Sequence, residues 1–211
     1  MGNSGLTRRN SVFFLGKQDS SSSDKNERRM TVSSRQNTLQ EEEVTTTVKK
    51  SVPFPEPLTD REKQLLIETW AILEQDIASV GVITFISLFE THPDVQQVFM
   101  PFSGIELEEL KQSKQLRAHA LRVMAFVQKA VARLYEPDKL DALLRDLGKK
   151  HYSYGAKQNY VDLIGPQFIQ AIQPSLEKHW NADTDEAWNK LFKYIAHIMK
   201  DAIATEEFYN K

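Results

Sequence analysis

Residues 137–151 read PDKLDALLRDLGKKH, and their pattern decides the fold. Leu140, Leu144 and Leu147 recur at helical spacing, and His151 continues the same stripe four residues later. The stretch therefore predicts an amphipathic helix that turns His151 toward the protein interior.

A second stretch, LRAHALRVMAFVQKA at residues 116–130, repeats this arrangement around His119. Taken singly, a histidine on an apolar stripe is more often a core residue with a hydrogen-bond partner. Two such histidines on different helices favour a shared ligand, because a neutral imidazole binds iron well and a buried ring nitrogen needs a partner. A haem iron between the two helices would provide that partner.

The other histidines and the rest of the motif search add no competing site. His92 precedes Pro93 at a helix end, His179 lies near another helix end, and His197 falls in the last predicted helix. The chain has no glycine-rich phosphate loop and no convincing Ser-His-Asp order, so the common nucleotide-binding and hydrolase signatures are missing.

From Leu58 onward the chain has a helical pattern throughout. Thr59 and Glu62 form a capping box, and no useful length alternates with period two. We predict an all-α domain over residues 58–205 with six to eight helices of unequal length, not a simple bundle. The main predicted helices cover residues 59–73, 76–91, 114–134, 137–151, 160–178 and 184–204.

Residues 1–57 have a different character from the rest. They contain runs of serine, glutamate and threonine and few apolar residues, so we predict a disordered extension, and we predict a short tail at 206–211. Residues 1–35 hold seven Lys and Arg against three Asp and Glu, whereas residues 58–211 hold 18 against 22.

Composition excludes several classes of protein. The chain is 40% hydrophobic and 27% charged with a formal net charge of −2, which gives no basic footprint for nucleic acid. It has no cysteine, which excludes disulfides, zinc-thiolate sites and thiol catalysis. The longest apolar run, residues 80–89, is about half of a membrane span. The N-terminus shows no secretory signal, so we expect a cytoplasmic protein.

In their order and spacing these residues resemble the globin family over residues 58–205. Trp70 matches the tryptophan of the first globin helix, and Gly81 and Ala120 match the small residues where the B and E helices cross. Pro93 resembles the proline that opens the C helix. The aromatic corner residues that follow it are Phe99 and Phe102. His119, with Val123 one turn later, resembles the distal histidine, and His151 resembles the proximal one.

Within the family the chain looks most like globin X, with neuroglobin as the next relative. That resemblance implies the globin fold around haem b, with His151 as proximal and His119 as distal iron ligand. The implied haem-contacting residues are Phe85, Phe99, Phe102, Leu116, Arg122, Val123, Leu147, Val161 and Ile164. Arg122 follows His119 by three residues on one helix, so its guanidinium is expected near a haem propionate, the alternative being a solvated arginine.

Three functions are compatible with this sequence. The first is a six-coordinate globin that binds O₂, CO or NO after His119 leaves the iron, with a redox, nitrite, NO or sensing role and an unidentified reductase partner. Weak nitrite reduction or NO dioxygenation would belong to it. The second is a five-coordinate O₂ carrier or store, in which His119 donates a hydrogen bond to O₂. The third is a haemless signalling module.

The N-terminal extension carries features of a weak membrane tether. Gly2 follows the initiator methionine as N-myristoylation requires, but Leu6 occupies the position where the motif expects Ser or Thr. Acylated globin X proteins carry a cysteine beside Gly2, where this chain has Asn3. Basic residues within 1–35 would supply the second signal toward the inner face of the plasma membrane, as would Val12-Phe13-Phe14-Leu15. The alternative is a solvated linker without function.

Overall fold

A computed structural model describes residues 53–210 of the chain. Its first helix, α1 (Asp60–Leu73), begins at the predicted capping box. The Glu62 N–H donates to the Thr59 hydroxyl at 3.2 Å, and the Thr59 N–H donates to the Glu62 carboxylate at 2.7 Å. Both bonds satisfy backbone N–H groups that would have no partner at an uncapped helix end. The helix therefore starts here.

Eight further α-helices follow within the described residues, and no β-strand occurs among them. A 3₁₀ turn at Glu74–Asp76 separates α1 from α2, and another at Pro174–Leu176 follows α8. The helices are α2 (Ile77–Thr91), α3 (Pro93–Val98), α4 (Leu107–Lys111), α5 (Lys114–Val131), α6 (Pro137–Ser153), α7 (Gln158–Val161), α8 (Ile164–Ile172) and α9 (Ala182–Tyr209). The predicted all-α class is confirmed.

The helices cross closely where small residues allow it. A Cβ built on Gly148 of α6 would lie 2.7 Å from the Met199 carbonyl oxygen of α9, and one built on Gly81 of α2 would lie 3.0 Å from the Ala120 Cβ of α5. Helices α6 and α9 therefore pack backbone to backbone, as do α2 and α5. Since α5 carries His119 and α6 carries His151, these two crossings set the positions of both histidines.

The apolar side chains form two cores. The main core joins α1, α6, α8, α9 and the second half of α5, with Trp70, Phe168 and Trp188 among its largest buried side chains. The corner core lies between α2, the α3–α4 corner and the first half of α5. Its buried members are Phe85, Ile86, Leu88, Phe89, Val95, Phe102, Leu110, Leu116 and Ala120. Half-buried Ile164 packs against both cores, so they meet at the start of α8.

One helix that the sequence predicts as continuous is divided in the structure, and one short helix was not predicted. Residues 160–178 form α7, α8 and a 3₁₀ turn instead of one helix. Helix α7 ends at Val161, directly before Asp162, whose carbonyl the ring of Pro166 would meet in a continuous helix. Helix α4 was not predicted, because its five residues are too few to show a period; burial of Leu110 holds it.

The two ends of the described segment also differ from the sequence prediction. Helix α9 extends to Tyr209, beyond residue 204 and through most of the predicted tail at 206–211. Contacts with other helices explain the extension, since Gln158 donates to the Glu207 carboxylate at 2.7 Å. At the other end, Phe54 lies within the predicted extension, yet its ring packs edge-on against Tyr194 and His197 of α9.

By length and composition alone, one described helical stretch, Asp60–Thr91, could cross a membrane. Several of its apolar side chains form part of the protein interior: Leu66, Leu73, Val80 and Phe89 are almost completely buried in the two cores. The stretch is thus built as core helices of a folded domain. The tail features, including Gly2 and the basic residues of 1–35, lie outside the described residues and stay predictions.

Candidate functional site

His151 lies near the end of α6, and its ring is oriented by the backbone of its own helix. The Nδ1 atom is 2.9 Å from the Leu147 carbonyl oxygen. Because a carbonyl can only accept, Nδ1 carries the hydrogen and donates it, which leaves the lone pair on Nε2. Burial lowers the pKa of His151, and the Leu147 hydrogen bond opposes that shift only in part. A neutral imidazole with a free Nε2 lone pair is the form that binds a metal.

His119 lies on the inner side of α5 within a cage of three aromatic rings. Its ring centroid is 4.8 Å from that of Phe85, 5.7 Å from Phe99 and 5.9 Å from Phe102, each in an edge-to-face arrangement. Burial among these rings, together with smaller contributions from positive charge on Arg122 and His151, lowers the pKa of His119 to about 4. His119 is therefore neutral near pH 7 and keeps a lone pair as well.

The two histidines lie close enough for charge on His151 to contribute to the lowered pKa of His119. Across residues 53–210 there is no group of three or more His, Asp or Glu side chains that could hold a metal ion. Two imidazoles are too few for a metal site built from protein alone. They fit haem, whose iron needs only one or two axial ligands from the protein.

Apart from Arg122, the predicted haem-contacting residues fall into two groups, one in each apolar core. Phe85, Phe102 and Leu116 are buried members of the corner core, with Phe99, Val123 and Ile164 half-buried against it. The second group is in the main core, where Val161 is buried and Leu147 is half-buried. The structure thus brings the aromatic residues directly onto His119, whereas Leu147 meets His151 through its carbonyl oxygen.

Arg122 is exposed on α5, one turn after His119. Its guanidinium lies close enough to lower the pKa of His119 by charge repulsion. This position beside the distal histidine and at the protein surface is compatible with the expected contact to a haem propionate. That contact stays a prediction.

Sequence reasoning missed three residues at the site. Tyr160 and Leu163 are half-buried against the corner core, and the Lys157 ammonium lies 5.8 Å from the Tyr160 ring centroid. Their signal was the apolar spacing of residues 160, 161 and 164. Gln96 is buried in the corner between α3 and α4, and nothing in its local sequence indicated that role.

The chain is similar to several globins. A family model described as Globin matches residues 83–199. Cytoglobin-2 of Danio rerio is 32% identical over 139 residues, covering 65% of this chain and 78% of the relative. Neuroglobin-1 of Oncorhynchus mykiss is 28% identical over 145 residues, covering 68% and 91%.

Among solved structures, a hexacoordinated heme protein from an anhydrobiotic tardigrade has the same fold. The TM-score is 0.66 at 21% sequence identity, and the match covers 70% of this chain and 96% of that chain. These relatives leave the globin X subfamily as a prediction, because they are a cytoglobin, a neuroglobin and a tardigrade protein.

Proposed function

Because this chain belongs to the globin family, a family of haem proteins that bind gases such as O₂, we propose that His151 and His119 both ligate its haem iron. The cofactor of this proposal is haem b. It would supply the iron at which O₂, CO and NO coordinate. His151 would hold the haem permanently, and His119 would occupy the distal side until a gas displaces it.

The observation that carries this proposal is the state of the two imidazoles. Both have lowered pKa values, so both are neutral at neutral pH. The Leu147 carbonyl leaves the Nε2 lone pair of His151 free. His119 is held by three aromatic rings that supply no hydrogen-bond partner. Two half-buried neutral ligands of this kind are what a six-coordinate iron requires.

Competition from His119 would determine what such a protein can do. If the open form is a fraction f of the population, the apparent dissociation constant for a gas is the intrinsic value divided by f. A small f weakens O₂ storage and leaves a site suited to electron transfer, nitrite reduction, NO removal or sensing. A redox role of this kind would also need a reductase as partner.

The alternative is a five-coordinate O₂ carrier or store. A neutral His119 has one N–H, and in this alternative it donates a hydrogen bond to O₂ instead of ligating the iron. The aromatic cage favours ligation, because Phe85, Phe99 and Phe102 give the His119 ring no hydrogen-bond partner.

The visible absorption spectrum of the reduced, gas-free protein separates these functions. Six-coordination predicts a low-spin spectrum, and His119→Ala should convert it to a high-spin form and speed CO binding. His197→Ala, which changes a histidine of α9 beside Phe54, is the matched control and should leave both properties unchanged. A wild-type spectrum that is already five-coordinate would rule out ligation by His119, and a chain that takes up no haem would leave the haemless module.

We propose a cytoplasmic location with weak contact of residues 1–35 to the inner face of the plasma membrane. The support is the basic composition of this segment and the glycine at position 2. Mass spectrometry of the N-terminal peptide shows whether Gly2 is acylated. Sedimentation with phosphatidylserine vesicles measures membrane binding. Comparing the wild type with a variant in which Gln replaces Arg8, Arg9, Arg28 and Arg29 gives the contribution of the basic residues to this binding. Equal partitioning of both proteins would refute the tether.

A further inference from the structure

Gln96 of α3 is only 7% exposed, and its side chain lies behind the corner of residues 99–106 that joins α3 to α4. Its amide nitrogen donates one hydrogen bond to the Phe102 carbonyl at 2.9 Å and another to the Ile105 carbonyl at 2.8 Å. Both amide hydrogens are thus used. The two carbonyls flank the turn at Gly104, whose φ is +73°. One side chain therefore fastens both ends of this turn to α3.

The fastened corner supplies two of the three rings around His119. Phe99 and Phe102 lie 6.2 Å apart, nearly parallel, and each meets the His119 ring edge-on. Phe102 is almost completely buried, and its carbonyl is one of the two that Gln96 holds. A displacement of residues 102–105 would therefore move a ring that contacts His119.

We propose that Gln96 is a positioning residue that controls how readily His119 leaves the iron, and this rests on the six-coordinate site proposed above. His119 can swing away only if the rings of Phe99 and Phe102 give room. Opening the corner would separate the buried Phe102 carbonyl and the half-buried Ile105 carbonyl from their donor, and a buried acceptor without a partner is costly. Gln96 thereby holds the cage closed and slows release of His119.

A second hydrogen bond in the same corner offers a matched control. The Ser103 hydroxyl donates to the Gln97 side-chain oxygen at 2.7 Å, and this pair also ties the corner to α3. The bond is exposed, so water can replace either partner when it is broken. Loss of this exposed bond should change the corner far less than loss of the two Gln96 bonds, one of which is buried and the other half-buried.

The test uses full-length, haem-loaded protein and the variants Gln96→Met and Ser103→Ala. Methionine keeps the length and removes both donors. At saturating CO the observed binding rate equals the release rate of His119, and we expect Gln96→Met to raise it about five- to tenfold, as loss of one or two buried hydrogen bonds implies. Hydrogen–deuterium exchange of residues 99–106 should also become faster. Ser103→Ala should stay within about twofold of wild type in both readouts, since water replaces an exposed bond.

Gln96→Glu supplies a readout that a purely structural role would not move, and it serves if Gln96→Met does not fold. An ionised carboxylate has no hydrogen for the two carbonyls, whereas a protonated carboxyl has one O–H. The release rate of Gln96→Glu, divided by that of wild type at each pH, should be high at pH 8 and fall as the carboxyl is protonated.

The outcomes separate this inference from the proposed function. A six-coordinate wild type whose release rate is unchanged in Gln96→Met overturns the role of Gln96 alone, even if hydrogen exchange in the corner becomes faster. A five-coordinate wild type overturns both, because there is then no release of His119 to control.

Discussion

At the scale of single residues, His151 and its tautomer are fixed by one neighbour, the Leu147 carbonyl. His151→Ala would remove the permanent protein–iron bond, so haem loss should accelerate by more than about tenfold, since disturbing even a ligand's hydrogen-bond partner costs 10- to 100-fold in metal affinity. Transfer of haem to an excess of a competing haem acceptor measures the rate. His179→Ala, an exposed histidine, is the control. Equal loss rates in the two variants would contradict proximal ligation by His151.

Arg122 acts on His119 through charge. Its guanidinium disfavours the protonated imidazole, so Arg122→Ala should raise the pKa of His119. If the guanidinium also pairs with a propionate, the variant should lose haem faster, because a charge-assisted hydrogen bond disappears. Arg117→Ala removes another exposed arginine of the same helix whose charge is not among those that lower the pKa of His119. An Arg122→Ala haem loss rate equal to that of Arg117→Ala would leave Arg122 as a solvated arginine.

At the scale of helices, the α6–α9 crossing should be the least tolerant of added volume. A Cβ at Gly148 would lie 2.7 Å from the Met199 carbonyl oxygen and 2.8 Å from the Ala202 Cβ. Both neighbours are backbone or rigid atoms of α9, so the helices must separate. Gly148→Ala should lower the free energy of unfolding by about 1–3 kcal/mol, the usual cost of overpacking. Because His151 lies three residues further along α6, haem retention should fall as well.

Without the close crossing, Gly148→Ala would raise the free energy of unfolding, because alanine is favoured over glycine in a helix by about 1 kcal/mol. A decrease therefore points to overpacking. Urea unfolding of Gly148→Ala and of the exposed neighbour variant Lys149→Ala measures the difference. Stabilisation by Gly148→Ala would show that the crossing is looser than the structure describes.

The helices that could be predicted from the sequence are those determined by local chemistry. The capping box determines the start of α1, and it involves only the four consecutive residues from Thr59 to Glu62. The break at Asp162 also has a local cause in Pro166, but the apolar period continues across that proline and favoured one continuous helix. Helix α4 and the last turns of α9 depend on burial of Leu110 and on the contact of Gln158 with Glu207. Such long-range contacts cannot be read from a local period.

The candidate site shows the same division. His119 and His151 stand on apolar stripes, so their inward direction followed from spacing alone. Gln96 had no such signal, because the carbonyls that it binds belong to a turn six to nine residues away. The pairing of Leu147 with His151 is a regular i to i+4 contact, yet a backbone carbonyl has no sequence signature.

At the scale of the whole molecule, the two cores place both histidines in surroundings that disfavour their charged forms. His119 has a pKa of about 4 in the folded protein and an ordinary value near 6.5 when the chain unfolds. Unfolding therefore takes up protons between these values. The contribution of His119 to stability is present above about pH 6.5 and is lost as the pH falls through about 4. The lowered pKa of His151 acts in the same direction.

The haem-free protein should accordingly become less stable between pH 7.5 and pH 5, before most carboxylates titrate. For His119 alone, with allowance for its partial exposure, we expect a loss of about 1–2 kcal/mol in the free energy of unfolding. Urea unfolding at the two pH values measures this loss, and His119→Gln, which cannot be protonated in this range, should remove it. Carboxylates affect both proteins alike, so they cancel when the two pH dependences are subtracted. Equal pH dependence in the two proteins would mean that His119 is protonated as readily in the folded chain as in water, and the aromatic cage would then not hold a neutral ligand.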